Sequence, residues 1–473
     1  MTTAVRERSA TRREKDTLGE IEVPADALWG AQTQRAIENY PISGYRAFPA
    51  FIRAIVRVKK AAAIANGDAG RLDDKRREAI VAACDEILAG QHLDQFVVDV
   101  FQSGAGVSFH MNANEVIANR ANQILGSALG TYEHVNPNDH TNIGQSTNDV
   151  TPTAMRLAHL ELTKAVCDEL DSLADALAAK SKQYANIVKP GRTHLQDAVP
   201  ITFGQEIGGW SARVRGASAR LRAGRSELCE LGIGGTAAGT GLNASAGFRE
   251  RVCTLLAEWY VEPIVPAKDL FASMQSMAAF VRVSSGMRTA AIEISQICND
   301  IRLLVSGPRT GFGELRIPAV QPGSSIMPGK VNPAIAEMVN QVCFQVIGND
   351  TTVAWGAQAG QLELNVMMPG INYAVCLSAT IFSNAVRQLR VKAVEGMNVD
   401  EERAKELMDM SPSLIITALS PHIGYAKAAA LVKRALGERR SLIDVAKEEK
   451  IMSEEKLRKV LDPLPMTKGG VQS

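Results

Sequence analysis

Two helical patterns in this chain are too long for one small domain to cover. Residues 276–306 place Phe280, Met287, Ile294 and Ile301 at seven-residue intervals, with Met277, Ile297 and Leu304 on the same side. That spacing makes an apolar seam down one face of a helix, as in a coiled coil. Gly307-Pro308 ends the pattern, because Gly accepts the backbone angles of a helix end and Pro cannot continue the ladder. Residues 153–187 carry Leu162, Val166, Leu170, Leu173 and Leu177 on a second long helix, stopped before Pro190-Gly191. A helix of about 34 residues is about 50 Å long, more than the width of a small domain. Its apolar face needs partners along its whole length. A bundle of long helices, extended by other subunits, is the simplest way to supply them.

A third pattern begins at Pro333 and includes Ile335, Met338, Val342 and Val346; Gly348 and the run Gly356-Ala-Gln-Ala-Gly360 are expected to interrupt it. The fold class that follows is mainly α, with three regions. Residues 1–150 form a mixed, mainly helical N-terminal domain and residues 151–395 the central long-helix bundle. Residues 396–473 form a smaller helical C-terminal domain, in which Ser411-Pro412 and Ser420-Pro421 break up short helices.

Charge and cysteine usage exclude several classes of partner. A formal net charge of +1 gives no broad basic field, so no nucleic-acid partner is expected. No 18-residue apolar run exists, so no membrane span is expected. The start is rich in arginine (Arg6, Arg8, Arg12, Arg13) but interrupted by Glu7, Glu14 and Asp16, and reads as a solvated, poorly ordered tail. The seven cysteines are scattered, without a Cys-x-x-Cys, and suit free buried thiols in a reducing compartment, the cytoplasm. The seven histidines show no paired ligand spacing, so no metal site is expected.

The chemistry concentrates in residues 322–333, Pro-Gly-Ser-Ser-Ile-Met-Pro-Gly-Lys-Val-Asn-Pro. This Gly/Pro-punctuated loop holds two hydroxyls, a lysine and an asparagine just before a helical pattern. Asn332-Pro333 is a good helix start, with Asn as the cap and Pro in the first position. A helix N-terminus beside Lys330 is a ready seat for a carboxylate. A serine next to that seat can act on the neighbouring carbon.

This stretch resembles the signature loop of the aspartase/fumarase superfamily, whose members add or remove a small nucleophile across a fumarate-type double bond. The resemblance covers nearly the whole chain. Residues 19–35 look like the family's N-terminal motif. Asn136-Pro-Asn-Asp-His and Gln145-Ser-Thr-Asn-Asp149 look like its second block, Gly191-Arg-Thr-His-Leu-Gln-Asp-Ala198 like another, and Gly235-Thr-Ala-Ala-Gly-Thr-Gly-Leu-Asn243 like a further one. The resemblance implies a three-domain fold with a central helix bundle, a small dicarboxylate substrate, and a homotetramer whose sites draw on different subunits. It places the catalytic base at Ser324, with Ser325 beside it, and sets Lys330 and the amide of Asn332 on the carboxylate whose neighbouring C–H is broken. It puts Thr193 on a substrate carboxylate, His194 at the leaving-group side and Glu337 as the acidic partner of that histidine. Ser146 and Thr147 are assigned to the second carboxylate and Asn148 to the leaving group. A plain helix cap is the competing reading of Ser146–Asn148, although Asp149 or Thr151 would serve as cap for a helix starting near Pro152. Asn136–His140 reads as a turn or a surface anion site. Ser103-Gly-Ala-Gly106 lacks the Gly-Lys-Ser/Thr of a phosphate loop and, by resemblance, walls the pocket.

Three positions depart from the family pattern: Val107 where Thr is usual, His110 where Asn is usual, and Ile143 in place of a frequent Lys. Val cannot hydrogen-bond to a substrate, and a lost partner in a buried site costs about 1–3 kcal/mol. His110 either restores a polar contact or sits satisfied in the core. The core constellation is shared by ammonia-lyases and hydratases. Segments such as Arg35-Ala-Ile-Glu-Asn-Tyr-Pro-Ile42 and Leu362-Glu-Leu-Asn-Val-Met367 look more like aspartases; Leu28–Gln34 and Pro328-Gly-Lys330 lean toward class II fumarases. The expected reaction is reversible anti elimination of ammonia from L-aspartate or a close analogue to give fumarate. Hydration of fumarate and a sister lyase with an altered substrate are the alternatives, and a catalytically silent homologue is the non-enzymatic one. The elimination needs no redox cofactor, and none is expected.

Overall fold

A computed structural model of the protein describes residues 10–471. The elements in chain order are β1 (Thr11–Asp16), β2 (Gly19–Pro24), α1 (Ala31–Asn39), α2 (Pro49–Asp68), α3 (Asp74–Leu88), α4 (Val107–Ile124) and α5 (Thr147–Gln183). Then follow β3 (Val188–Thr193), β4 (Gln196–Thr202), α6 (Phe203–Gly224), α7 (Phe248–Tyr260), α8 (Leu270–Gln275), α9 (Ala278–Leu304), α10 (Ala334–Gln358), α11 (Met368–Leu389) and α12 (Glu401–Met410), with short helices continuing to Met466. The chain is mainly α, as its seven-residue repeats demand. Among the described residues no helix is long and apolar enough to cross a membrane.

The long helices follow their apolar patterns with one exception. In α9 the side chains of Phe280, Met287, Ile294 and Ile301 are wholly buried. In α5, Val166, Leu170, Leu173 and Leu177 are buried and Leu162 is half-buried. In α10 the expected stripe is displaced. Ile335, Met338 and Val342 are half-buried, while Ala336, Val339, Cys343, Val346 and Val353 are buried. This helix is apolar on most sides, so its sequence does not select one face. Nor does glycine interrupt it. The helix runs through Gly348 and Gly356, and at Gly356 a Cβ would lie 2.8 Å from Cγ1 of Ile371. Gly356 is there for close packing, not to end the helix.

The described residues form two compact units, whose boundaries fall inside α5, α6, α9, α10 and α11. The first comprises the chain up to Cys167 with Ala219–Thr289 and Gln345–Phe382. It opens with the antiparallel hairpin β1–β2, in register from Thr11 opposite Pro24 to Asp16 opposite Gly19. Arg12 does not belong to a solvated tail. Its guanidinium binds Glu14 and donates to the carbonyls of Pro24, Ala27 and Trp29. Arg6 and Arg8 lie outside the described residues. The N-terminus of α1 is closed by Glu115 of α4, whose buried carboxylate accepts the N–H groups of Gly30, Gln32 and Thr33. Helix α2 packs on α3 and α7, and α3 packs on α4. The inner line of α2 reads Ile52, Ile55, Lys59, Ala62 and Asn66, all buried.

The second unit comprises Asp168–Ser218, Ala290–Phe344 and the chain from Ser383. It contains the β3–β4 hairpin, which the helical reading did not anticipate. A bulge between Pro190 and Arg192 admits Gly191, where a Cβ would lie 2.5 Å from the carbonyl oxygen of Val199. The hairpin root is pinned by Glu314, which is wholly buried and takes Arg192 through two bonds of 2.8 and 3.2 Å. Lys189, also buried, bonds Glu206 at 2.9 Å and lies 3.6 Å from Glu314. Toward the C-terminus, Leu419, Leu431, Leu442, Val445, Leu457 and Val460 pack into an apolar cluster of their own; Ser411-Pro412 falls in a helix break, whereas Ser420-Pro421 opens a short helix. All seven cysteines are free and buried, as their scatter implies.

Candidate active site

The sequence-derived site residues fall into two groups, one in each unit. In the first unit, α5 begins at Thr147 and not near Pro152. Ser146 is its cap: its carbonyl accepts Val150 N and its Oγ accepts Asn148 N at 3.2 Å. Asp149 reaches back to Ser146 N at 3.0 Å, completing a capping box. Pro152 is tolerated inside the first turns, where its missing N–H leaves only the Asn148 carbonyl without its usual helical donor. The other carboxylate oxygen of Asp149 accepts Gly234 N at 3.0 Å and Thr236 N at 2.8 Å. Asn148 adds a bond from its Nδ2 to the carbonyl of Ala237. The 235–243 motif therefore acts here as a clamp on the start of α5. Burial pushes the carboxyl of Asp149 up to about 6, against the three amides that favour its charged form.

Ser146 opens onto a cleft of about 650 Å³ that also touches Asn142, Ile143, Gln145 and Thr236. Asn136–His140 is a single turn, with the Asn136 side chain accepting the N–H groups of Asn138 and Asp139. Ser103–Gly106 is another tight turn, with positive φ at Ala105 and Gly106, and it leads into α4. Val107, the first residue of α4, is 43% exposed. His110, one turn later, is wholly buried and not facing solvent. Its Nε2 lies 2.6 Å from Nζ of Lys59 and its Nδ1 2.7 Å from Oγ1 of Thr147. Lys59 also donates to Oδ1 of Asn142 and Oε1 of Gln145, each at 2.9 Å. Burial drives the Lys59 ammonium down to about 7, with Asp149 opposing the fall, and pushes His110 well below its ordinary value.

Lys59, Asn142 and Gln145 were not singled out from sequence. The available signal was a lone lysine on the buried line of α2, where Ile and Ala otherwise repeat at helical spacing.

In the second unit, Thr193 pairs with Gln196, so His194 and Leu195 form a two-residue turn. Both have positive φ, 53° and 58°, in a place where Asn-Gly is usual. The strained tip holds His194 exposed, in an orientation set by the backbone. The 322–333 loop is closed at its neck. Gly323 N donates to the Lys330 carbonyl at 2.8 Å, and Asn332 Nδ2 donates to the Gly323 carbonyl at 2.7 Å. Gly323 is required there, since a Cβ would lie 2.5 Å from the Lys330 carbonyl oxygen. Within this ring Oγ of Ser324 accepts two backbone N–H groups, from Ile326 at 3.2 Å and Met327 at 2.9 Å. Ser325 and Lys330 are exposed.

The helix after the loop starts one residue later than expected. The Pro333 carbonyl accepts Glu337 N, so Pro333 takes the cap position and the Asn332 side chain is occupied with the neck. Glu337 lies in the first turn of α10. Among the described residues no hydrogen bond or ion pair joins Glu337 to His194 within one chain, nor does any group of three His, Cys, Asp or Glu side chains stand ready to hold a metal ion.

Comparison with known proteins bears on these two groups together. Residues 19–348 match the Lyase family model, and residues 415–468 match the fumarase C C-terminus model. The aspartate ammonia-lyase of Bacillus subtilis (strain 168) is 44% identical over 460 residues, covering 97% of both chains. A class II fumarate hydratase from Chromobacterium violaceum is 46% identical over 425 residues, covering 90% of this chain and 92% of the relative. A crystal structure of fumarate lyase:delta crystallin from Brucella melitensis bound to cobalt is 47% identical, with a TM-score of 0.93, over 97% of this chain and all of that one.

Proposed function

We propose, since this chain belongs to the aspartase/fumarase superfamily of lyases, that it catalyses reversible anti elimination of ammonia from L-aspartate, or a close analogue, to give fumarate. A C–H next to a carboxylate is a very weak acid, and serine is ordinarily too weak a base to remove its proton. The observation that carries the reading is the pair of loop amides on Ser324 Oγ, because such donors stabilise the serine oxyanion. In this mechanism Ser324 takes the C3 proton. Lys330 and Asn332 hold the doubly charged aci-carboxylate, and Ser325 lies beside them. Ser146, Thr147 and Thr193 hold the carboxylates, and the amine departs at Asn148 and His194, with Glu337 as acidic partner. The match to an aspartate ammonia-lyase over 97% of this chain, against 90% for the class II fumarate hydratase, supports the amine over the hydroxyl. The similarity to a class II fumarate hydratase makes hydration of fumarate the second reading.

The enzyme is proposed to be a cytoplasmic homotetramer with active sites shared between subunits. Carbanion-type chemistry needs water excluded. Thr193, His194, Ser325 and Lys330 are exposed in a single chain, so covering them falls to other subunits. The free thiols suit a reducing compartment. The three-part division at 150 and 395 is kept as part of the proposal, supported at its C-terminal end by the separate apolar cluster there. The test is the ultraviolet absorbance of fumarate after mixing with L-aspartate or with L-malate. A rise with aspartate is expected; a rise with malate alone assigns the hydratase, and no rise with either leaves the sister lyase with an altered substrate or the silent homologue.

A further inference from the structure

Lys59 is buried among apolar residues of α2, yet its nitrogen has three neighbours that fit an ammonium: His110 Nε2, Asn142 Oδ1 and Gln145 Oε1. The two amide side chains cannot turn round. Nδ2 of Asn142 is held by the Gln145 carbonyl, and Nε2 of Gln145 by the carbonyls of Thr141 and Ile143. Both therefore present oxygen to Lys59, in either charge state of the lysine. The third neighbour differs. An ammonium has no lone pair, so beside charged Lys59 the His110 Nε2 is an acceptor and the proton of the neutral ring sits on Nδ1. Nδ1–H then donates to Thr147 Oγ1, and the Thr147 hydroxyl points its own hydrogen away. Beside a neutral amine the pattern reverses: Nε2–H donates to the Lys59 lone pair, and Nδ1 accepts the Thr147 hydroxyl.

We propose that Lys59, His110 and Thr147 form a proton-coupled relay in which charged Lys59 turns the Thr147 hydroxyl outward as a donor to an anionic substrate group, and neutral Lys59 turns it inward. This deepens the proposed function, resting on its placement of Thr147 at a substrate carboxylate. The step balances as one proton leaving the site. The proton between Nζ and Nε2 moves onto Nε2, the proton on Nδ1 moves onto Oγ1, and the outward proton of Oγ1 departs. Lys59 and His110 are positioning residues, since neither reaches the substrate. The groups facing Lys59 from the packed elements are His110 of α4, Asp149 of α5 and Cys84 of α3. Burial brings the lysine to about 7, keeps the Cys84 thiol neutral and holds Asp149 at about 6, so from about pH 7 upward Asp149 is already charged and the lysine is the group that switches.

The test uses succinate, a saturated dicarboxylate that cannot be eliminated, titrated calorimetrically into the intact oligomer from about pH 6 to about pH 9. Wild-type affinity is expected to fall about tenfold or more across this range. His110→Asn has no second tautomer, and Thr147→Val has no hydroxyl. Each is expected to lose that part of the pH dependence, whereas His194→Asn retains it. If either variant weakens binding equally at every pH, leaving the wild-type slope, His110 and Thr147 only pack and the relay is overturned. Histidine-selective 15N solid-state NMR reads the same relay without ligand. The His110 ring is expected to carry its proton on Nδ1 at the low end and on Nε2 at the high end, and an unchanged tautomer overturns the proposal. Wild type that binds no succinate at any pH removes the dicarboxylate reading instead, and the NMR result still decides the relay.

Discussion

Replacing Asp149 by Ala tests whether the start of α5 is held by a buried carboxylate. That carboxylate is wholly buried and accepts three backbone N–H groups, from Ser146, Gly234 and Thr236, at 3.0, 3.0 and 2.8 Å. An orphaned buried donor costs about 1–3 kcal/mol, so three cost about 3–9 kcal/mol. One effect opposes this. Burial raises the carboxyl from 3.8 to about 6, so charged Asp149 strains the fold by about 3 kcal/mol at neutral pH, and alanine removes that cost. The donors win at the middle of that range, with a net loss of about 0–6 kcal/mol centred on about 3 kcal/mol. The assay is urea denaturation followed by circular dichroism at one fixed protein concentration, because subunit assembly shifts apparent stability. The pH dependence has a definite sign. The native state keeps the Asp149 proton up to about 6, while the unfolded chain releases it near 3.8. The stabilisation is full below the lower value and is lost as pH rises through the upper one. The gap between wild type and Asp149→Ala is therefore larger near about pH 4 than near about pH 7, by up to about 3 kcal/mol. A loss under about 1 kcal/mol near about pH 4, where the ionisation cost is absent, or a gap that widens with pH, would refute the reasoning.

Ser324→Ala should lower turnover about 10²–10⁴-fold with folding intact, and near-wild-type fumarate formation would remove Ser324 as the base. Glu314→Ala leaves Arg192 without its buried partner, and Lys189 with Glu206 alone, and should cost about 3–5 kcal/mol; an unmoved denaturation midpoint would show the hairpin root is held otherwise. In Gly191→Ala the new methyl meets the Val199 carbonyl at 2.5 Å, which should destabilise by about 1–3 kcal/mol and loosen the hairpin, read as faster amide exchange across β3 and β4.

How far the sequence reached can be seen element by element. The seams of α5 and α9 were legible because a seven-residue repeat leaves a helix one face to bury. The face of α10 was not, since apolar residues nearly surround it. The hairpin at 188–202 was hidden because Pro190, Gly191 and Pro200 break the alternation of a strand. Pro152 misled the reading of the α5 start, as proline favours a first turn but is tolerated slightly deeper when a capping box fixes the end. Most site residues came from the resemblance, motif by motif. What motifs do not reveal is a partner far away in sequence: Lys59 lies 51 residues before His110 and 86 before Gln145.

The bonds that tie Gly323 to Lys330 and Asn332 make the intervening stretch a closed clasp. Whatever swings it carries the proposed base, Ser324, and the proposed countercharge, Lys330, as one cargo, so a substrate meets both or neither. In the proposed mechanism this excludes half-shut geometries that offer the proton acceptor without the cation for the aci-carboxylate, and any inhibitor that wedges the neck should silence both groups in a single stroke.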